Sequence, residues 1–156
     1  MVQATSTNSL KALLVGSFDP PTFGHLSLIE QIKALPIQLI IGIALNSEKK
    51  TLLPLEKRIE LLKKLTNVEV VKIEGLSATY AKENGFNCFI RGVRQGTDFD
   101  FESTLSNLNY TLSGIETLLI PSKKPHLEGK FIREIILNKG DLSPFLPESV
   151  IKEILR

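Results

Sequence analysis

Short runs of aliphatic residues alternate along the chain with stretches whose apolar residues recur at helical spacing, and this alternation limits the fold more than any other feature. Five aliphatic runs predict strands, at residues 11–15, 38–45, 68–73, 87–90 and 116–120. Six stretches predict helices, at residues 24–35, 55–65, 76–84, 98–113, 131–139 and 147–155. Strands that are apolar almost throughout are buried on both faces, which is typical of a parallel sheet with right-handed crossovers. The sequence therefore predicts an α/β fold, a Rossmann-like, doubly wound parallel five-stranded sheet with helices on both faces.

Length and composition indicate one domain. The chain has 156 residues, of which 42% are hydrophobic, and this is enough to bury a single compact core. Because no repeat, low-complexity tract or linker divides it, residues 10–156 are expected to form one domain after a flexible N-terminal tail at residues 1–9. The longest apolar run is far shorter than the roughly 20 residues that span a bilayer, and the N-terminus lacks the pattern of a secretory signal. We therefore expect no membrane partner and a cytoplasmic location.

Charge and cysteine content exclude two further classes. The formal net charge of +2 is too small to favour a nucleic-acid partner, which needs a basic stripe with interleaved aromatic residues. The single cysteine, Cys88, excludes an internal disulfide and any multi-cysteine metal site. Its apolar surroundings predict a small buried side chain without a chemical role.

The segment GSFDPPTFGH, residues 16–25, joins the first predicted strand to the first predicted helix. In a parallel sheet the ligand crevice lies at the carboxyl ends of the strands, so this loop should face it. Pro20 and Pro21 stiffen the loop, and Thr22 can cap the helix. Free amides at the helix N-terminus form an anion site, to which His25 in the first turn adds a donor. The segment has neither the ending of a P-loop nor the spacing of a dinucleotide fingerprint, so it predicts a phosphate site of another kind.

The same segment resembles the [HT]-x-G-H signature of the nucleotidyltransferase superfamily, in which a nucleoside triphosphate transfers its nucleotidyl group to a phosphate-bearing acceptor. Three further stretches are similar in order and spacing to those of bacterial phosphopantetheine adenylyltransferases: SEKK at 47–50, FIRGVRQGTDFDFE at 89–102 and KGDLSPFLPESV at 139–150. The similarity runs from about residue 11 to the end of the chain, so residues 10–156 are identified as a nucleotidyltransferase domain. On the first segment alone, a nicotinate-mononucleotide adenylyltransferase or a cytidylyltransferase fits equally well.

The resemblance implies transfer of AMP from ATP to 4'-phosphopantetheine, which gives dephospho-CoA and pyrophosphate in coenzyme A biosynthesis. The acceptor phosphate has a second pKa of about 6 and is already anionic at neutral pH, so the reaction needs no general base. What the site must do is align two polyanions that repel each other. The strand-end loops carry several cationic or donor side chains that can align them, namely His25, Lys49, Lys50, Arg91, Arg94, Lys123 and Lys124.

The resemblance also implies roles for individual residues. His25 would be catalytic, donating a hydrogen bond as charge builds on the α-phosphate, and Ser17 would touch both substrates. The acceptor would contact Ser17, Lys49, Ser77 and Arg91. ATP would contact Ser17, Phe18, His25, Gly92, Val93, Arg94, Glu102, Gly129 and Lys130. Mg²⁺ would arrive with ATP, bound mainly through ATP oxygens and water, so no protein metal ligand is expected; the family further implies a homo-oligomer, specifically a hexamer.

One stretch departs from the family pattern. Where the family usually has an I-S-S-[ST] run that holds the β and γ phosphates, this chain has Leu127, Glu128, Gly129 and Lys130. Gly129 permits close approach of the backbone and Lys130 could supply a point charge, whereas Glu128 would repel a triphosphate. Two alternatives therefore stay open: a noncatalytic module that binds a nucleotide or CoA, and a related adenylyl- or cytidylyltransferase with another phosphate acceptor.

Overall fold

A computed structural model of the chain describes residues 9–45, 50–124 and 128–156. The strands are β1 (Leu10–Gly16), β2 (Ile37–Ala44), β3 (Glu69–Ile73), β4 (Cys88–Val93) and β5 (Glu116–Pro121). The helices are α1 (Phe23–Lys33), α2 (Leu55–Thr66), α3 (Ser77–Glu83), α4 (Gly96–Ser113), α5 (Gly129–Leu137) and α6 (Glu148–Ile154). Residues 1–8 of the predicted tail lie outside the described residues.

All the predicted strands and helices are confirmed, with small differences at their ends. The largest difference concerns β4, because the aliphatic run predicts an end at residue 90 whereas the strand continues to Val93. Arg91, Gly92 and Val93 pair with β5 and so continue the ladder. An arginine and a glycine interrupt the aliphatic pattern there, so the sequence signal ends before the hydrogen bonding does.

The strands are all parallel and lie in the order β3-β2-β1-β4-β5. From β1 the chain builds the sheet in one direction through β2 and β3, and then returns to the other side of β1 for β4 and β5. The order therefore reverses between β1 and β4, and the crevice at their carboxyl ends is where open α/β sheets bind ligands. The predicted doubly wound, Rossmann-like sheet is confirmed.

Successive residues of β1 point to opposite faces of the sheet, as the pleat requires. Ala12 and Leu14 belong to one buried cluster, which also contains Leu62 of α2. Leu13 belongs to a second cluster, which contains Ala81 of α3. Helices therefore cover both faces, which explains why the strands read as mostly aliphatic runs.

Two predictions made from composition can be compared with the structure. Cys88 is buried, as predicted, and this burial raises the pKa of its thiol. No helix within the described ranges combines the length and apolarity needed to cross a bilayer.

A third buried cluster joins the C-terminal helices to α2. Ile132 of α5 and Val150 of α6 are fully buried, and both pack in one cluster with Leu61 of α2. A main-chain hydrogen bond of 3.0 Å from the Phe23 amide to the Phe145 carbonyl ties this region to the start of α1. The cluster therefore fixes α5 beside the rim where the first loop lies.

Replacement of Ile132 by alanine tests whether this third cluster supports the fold. Loss of a fully buried isoleucine side chain should lower the free energy of unfolding by about 2–5 kcal/mol, because the removed methyl groups leave a cavity. Urea denaturation measures the change. Leu137→Ala on the same helix is the matched control, since Leu137 is 82% exposed and its loss should cost less than about 0.5 kcal/mol. Equal costs for the two variants would show that α5 is not held by this cluster.

Candidate active site

Two cavities lie at the rim where β1 and β4 end. The first, here called the main cavity, has a volume of about 300 Å³ and is enclosed by the ends of β1 and β4 and the first turns of α4. The second, here called the loop cavity, has a volume of about 210 Å³ and lies between the first loop and the start of α5. Ser17 and His25 line both cavities. One hydroxyl and one imidazole thus lie where two ligands would meet.

His25 is held by the residue that caps its own helix. Thr22 is buried and caps α1, as predicted, with its side chain accepting from the His25 amide. In return, the Thr22 amide donates to Nδ1 of His25 at 3.0 Å. A main-chain N–H can only donate, so Nδ1 accepts and the proton of the neutral imidazole is on Nε2. The capping box therefore selects the tautomer that can donate from Nε2.

Phe18 supports His25 from the other side. Its ring is buried and packs edge-to-face against the imidazole, with 4.9 Å between the ring centroids. Gly16 makes room for this ring, since a Cβ at position 16 would lie 2.9 Å from it. The ring nitrogen bond to Thr22 and the contact with Phe18 together fix the orientation of the imidazole.

Arg91 enters the main cavity from β4 as part of a bonded pair. Its Nε and Nη2 donate to the two carboxylate oxygens of Glu102 at 2.7 and 2.9 Å, and its Nη1 donates to the Val15 carbonyl at 2.6 Å. Glu102 lies on α4 and is 7% exposed. The bidentate pair holds the guanidinium in one orientation. Glu102 thus orients Arg91, which is a role the sequence did not predict for it; its predicted contact with the nucleotide stays a prediction.

Arg94 and Gly92 complete this side of the main cavity. The Arg94 Nε donates to Asp98 at 2.8 Å, and the resulting hydrogen bond holds the pKa of that carboxyl below its ordinary value. Gly92 lets α1 approach the strand, because a Cβ there would lie 2.7 Å from Leu28. Both predicted residues therefore line the cavity, together with Asp98 and Phe101, which the sequence did not single out.

Of the two predicted residues at the start of α5, one lines the loop cavity and the other lies on the surface. Gly129 lines the loop cavity, as does Glu128, the acid that the sequence predicts to repel a triphosphate. Lys130 is not among the residues lining either cavity; its ammonium lies 3.3 Å from the Glu128 carboxylate and its side chain is 70% exposed. The lysine therefore partly neutralises the acid at the cavity edge.

Two of the predicted contact residues line neither cavity. Val93 is the last residue of β4 and lines neither cavity, although its carbonyl accepts from the Ser122 amide at 2.8 Å. Ser77 is the first residue of α3, the helix that follows β3 in the chain, and also lines neither cavity. Lys49 lies outside the described residues. Their predicted contacts with substrates stay predictions.

Two buried charged residues at the rim were missed by sequence reasoning. Asp19 lines the loop cavity and accepts from the Leu52 and Leu53 amides at 2.7 and 2.8 Å. Arg58 of α2 is 4% exposed and donates to the Ser17 carbonyl at 2.8 Å. Both bind main-chain groups of distant segments, and no local spacing indicates such bonds.

The arrangement suits the binding of anions. His25, in the first turn of α1, and two arginines converge on the main cavity, where such donors and cations can stabilise phosphate oxygens. Each arginine is oriented by a carboxylate, and the remaining donors of Arg91 are thereby directed before a ligand arrives. Donors prepared in this way stabilise charge that develops during a reaction.

Comparison with known proteins gives a consistent assignment. The family profile described as cytidylyltransferase-like matches residues 13–133. The phosphopantetheine adenylyltransferase of Cutibacterium acnes is 35% identical over 147 residues, covering 90% of this chain and 94% of the relative. That of Psychromonas ingrahamii is 37% identical over 147 residues, covering 90% of this chain and 91% of the relative.

A solved structure shares the fold at low sequence identity. The putative nicotinate-nucleotide adenylyltransferase of Vibrio parahaemolyticus superposes with a TM-score of 0.68 at 16% identity, covering 95% of this chain and 99% of that chain. This likeness supports the fold alone, whereas the matched profile and the two relatives extend over most of the sequence. The chain therefore belongs to the cytidylyltransferase-like family and, within it, to the phosphopantetheine adenylyltransferases.

Proposed function

We propose that this chain transfers the adenylyl group of ATP to 4'-phosphopantetheine, producing dephospho-CoA and pyrophosphate. The observation that carries the proposal is that Ser17 and His25 line both the main cavity and the loop cavity. A reaction between two phosphates needs donors at the point where the two binding places meet. The family membership supplies the identity of the two substrates.

The proposed reaction is a single displacement. An oxygen of the acceptor phosphate attacks the α-phosphorus of ATP, a new P–O bond forms, and the bond to the bridging oxygen of the β-phosphate breaks, so that pyrophosphate leaves. No base is required because the acceptor is already anionic. The Nε2–H of His25 donates to an oxygen of the α-phosphate as negative charge accumulates, and Arg91 and Arg94 offset the repulsion between the two substrates.

Mg²⁺ is part of the proposal as an ion that enters with ATP. Among the described residues, no group of three or more His, Cys, Asp or Glu side chains is placed to hold a metal. Near the cavities, the Asp19 carboxylate accepts from two amides, Glu102 from Arg91 and Asp98 from Arg94. These carboxylates already accept hydrogen bonds within the protein. The site therefore fits an ion that is bound mainly by triphosphate oxygens and water and that neutralises phosphate charge.

A homo-oligomer and a cytoplasmic location belong to the same proposal. Several apolar side chains on α4 are exposed and could be covered by a second copy, among them Phe99, Leu108, Tyr110 and Leu112. The hexamer follows from the family resemblance. The cytoplasmic location follows from the use of ATP as a substrate.

The direct test measures pyrophosphate release from ATP with 4'-phosphopantetheine, in parallel with nicotinate mononucleotide as acceptor and with CTP plus glycerol 3-phosphate. Turnover should be confined to ATP with 4'-phosphopantetheine. Turnover with one of the other pairs would reassign the chain to a related transferase. Measurable ATP binding without turnover on any acceptor would identify a noncatalytic binding module.

His25→Ala should lower kcat by about 10²–10³-fold while the KM for the acceptor changes little, because the lost hydrogen bond is made chiefly in the transition state. Steady-state kinetics with each substrate varied in turn measure both constants. His25 also takes part in the cap of α1, so thermal unfolding of the variant is measured alongside. An increase of KM as large as the fall in kcat would mean that His25 only binds a substrate.

Arg91→Ala should weaken binding of 4'-phosphopantetheine by roughly 1.5–3 kcal/mol, or about 10- to 150-fold, because a charge-assisted hydrogen bond to phosphate is lost. Isothermal titration measures the affinity. Arg156→Ala is the matched control, since Arg156 is an exposed arginine that pairs with Glu153 on α6. An unchanged affinity in Arg91→Ala would place the acceptor phosphate elsewhere.

Lys130→Ala should raise the KM for ATP by up to about fivefold and leave the KM for 4'-phosphopantetheine unchanged. The expected size is that of an exposed charge contact, up to about 1 kcal/mol. The variant also leaves Glu128 without its cation at the cavity edge. Lys152→Ala on α6 removes an exposed lysine that pairs with Glu148 and serves as the control. Equal effects on both substrates would contradict a role at the triphosphate.

A further inference from the structure

The turn formed by Ser17, Phe18 and Asp19 has an unfavourable backbone conformation at its centre. Phe18 has φ of 47°, in the left-handed region that residues with a Cβ rarely adopt. Such a conformation costs free energy and persists only where the surrounding structure holds it. Phe18 is also 3% exposed, and its ring is the one that packs against His25. Whatever holds this turn therefore also holds the catalytic imidazole.

Arg58 binds the turn on the N-terminal side of Phe18. Its Nη1 donates to the Ser17 carbonyl at 2.8 Å and its Nε donates to the Leu53 carbonyl at 3.1 Å. Within the described part of the chain Arg58 forms no ion pair, and it is 4% exposed. Burial of a guanidinium costs free energy that hydrogen bonds must offset. Here main-chain carbonyls take the place of a carboxylate partner.

Asp19 binds on the C-terminal side of Phe18. Its two carboxylate oxygens accept from the Leu52 and Leu53 amides, and its side chain is 8% exposed. Leu53 is thus bound through its amide by Asp19 and through its carbonyl by Arg58. The contacts form a closed ring around Phe18, so the two residues next to it cannot move independently.

We propose that Arg58 is a positioning residue for the reaction: together with Asp19 it holds the strained turn at Phe18 and thereby fixes the imidazole of His25. Arg58 is not among the residues that line either cavity, so it acts on the chemistry through the turn that it binds. The path runs from the Arg58 guanidinium to the Ser17 carbonyl, then through the backbone to the Phe18 ring, and then to the imidazole at 4.9 Å. This inference rests on the proposed function, since it assigns the residue that prepares His25 for the transfer.

The test compares Arg58→Met, which keeps the bulk but removes every donor, with Arg58→Lys, which can bind only part of what the guanidinium binds. Displacement of a catalytic group by about 1 Å can cost on the order of 10²-fold, so kcat should fall about 10- to 100-fold in Arg58→Met and less in Arg58→Lys. Lys33→Met is the matched control, because Lys33 also donates to a main-chain carbonyl, that of Thr66, far from both cavities. Its kcat should not change.

A double-mutant cycle separates positioning from general support of the fold. If Arg58 acts through the imidazole, Arg58→Lys should cost less than about threefold in kcat when His25 is already alanine. If Arg58 only supported the fold, Arg58→Lys would lower kcat by the same factor whether residue 25 is histidine or alanine. Additive losses would therefore overturn the proposal, as would loss of cooperative unfolding in both Arg58 variants.

Nuclear magnetic resonance provides a measurement that does not depend on turnover. The chain has two histidines, so the ring signals of His25 can be assigned by comparison with His25→Ala. The His25 ring protons should change chemical shift in both Arg58 variants, because they lie in the ring current of Phe18, and should not change in Lys33→Met. Unchanged His25 signals in both Arg58 variants would overturn the inference. If the wild-type protein shows no adenylyl transfer, the proposed function fails, while these spectra still decide whether Arg58 positions His25.

Discussion

The parallel pairing of β1 with β4 is the constraint on which the site depends. The two strands pair over Ala12–Cys88, Leu13–Phe89 and Leu14–Ile90, and beyond these pairs each strand continues beside its other neighbour. β1 leads through the first loop to Thr22 and His25, whereas β4 continues through Arg91. The bond from the Arg91 Nη1 to the Val15 carbonyl joins the two just where the ladder ends. The switch in strand order therefore brings the imidazole and the guanidinium to the same cavity.

Charge balance at the rim explains how several cations can share one small cavity. Arg91 is paired with Glu102 and Arg94 with Asp98, so their mutual repulsion is offset before any ligand binds. A guanidinium has more N–H donors than the three bonds that Arg91 makes here, so donors are left for a phosphate. The carboxylates do not compete with the substrate for the whole cation. They hold it in the orientation that a phosphate needs.

The sequence predicts the parts of this molecule that depend on local pattern. Strands buried on both faces read as aliphatic runs, and the loop GSFDPPTFGH carries its own capping residue, so the fold and the place of His25 could be inferred. Contacts made by buried charges with a distant main chain have no such pattern. Arg58 and Ser17 are 41 residues apart, and their bond exists only because α2 packs beside the end of β1. Arg91 and Glu102 both lie within a recognised motif. Their bidentate bond, however, depends on how α4 packs against β4, which the motif does not show.

The start of α5 differs in its side chains from the family pattern, yet it lies beside the loop cavity. Ile132, three positions beyond Gly129, anchors the helix in the third buried cluster. The main-chain amides of its first turn consequently keep their place beside the loop cavity whether the side chains are hydroxyls or charges. What the substitution changes is the charge at the cavity edge, where Glu128 is partly offset by Lys130. The main-chain donors at the start of a helix are thus present whatever side chains these positions carry.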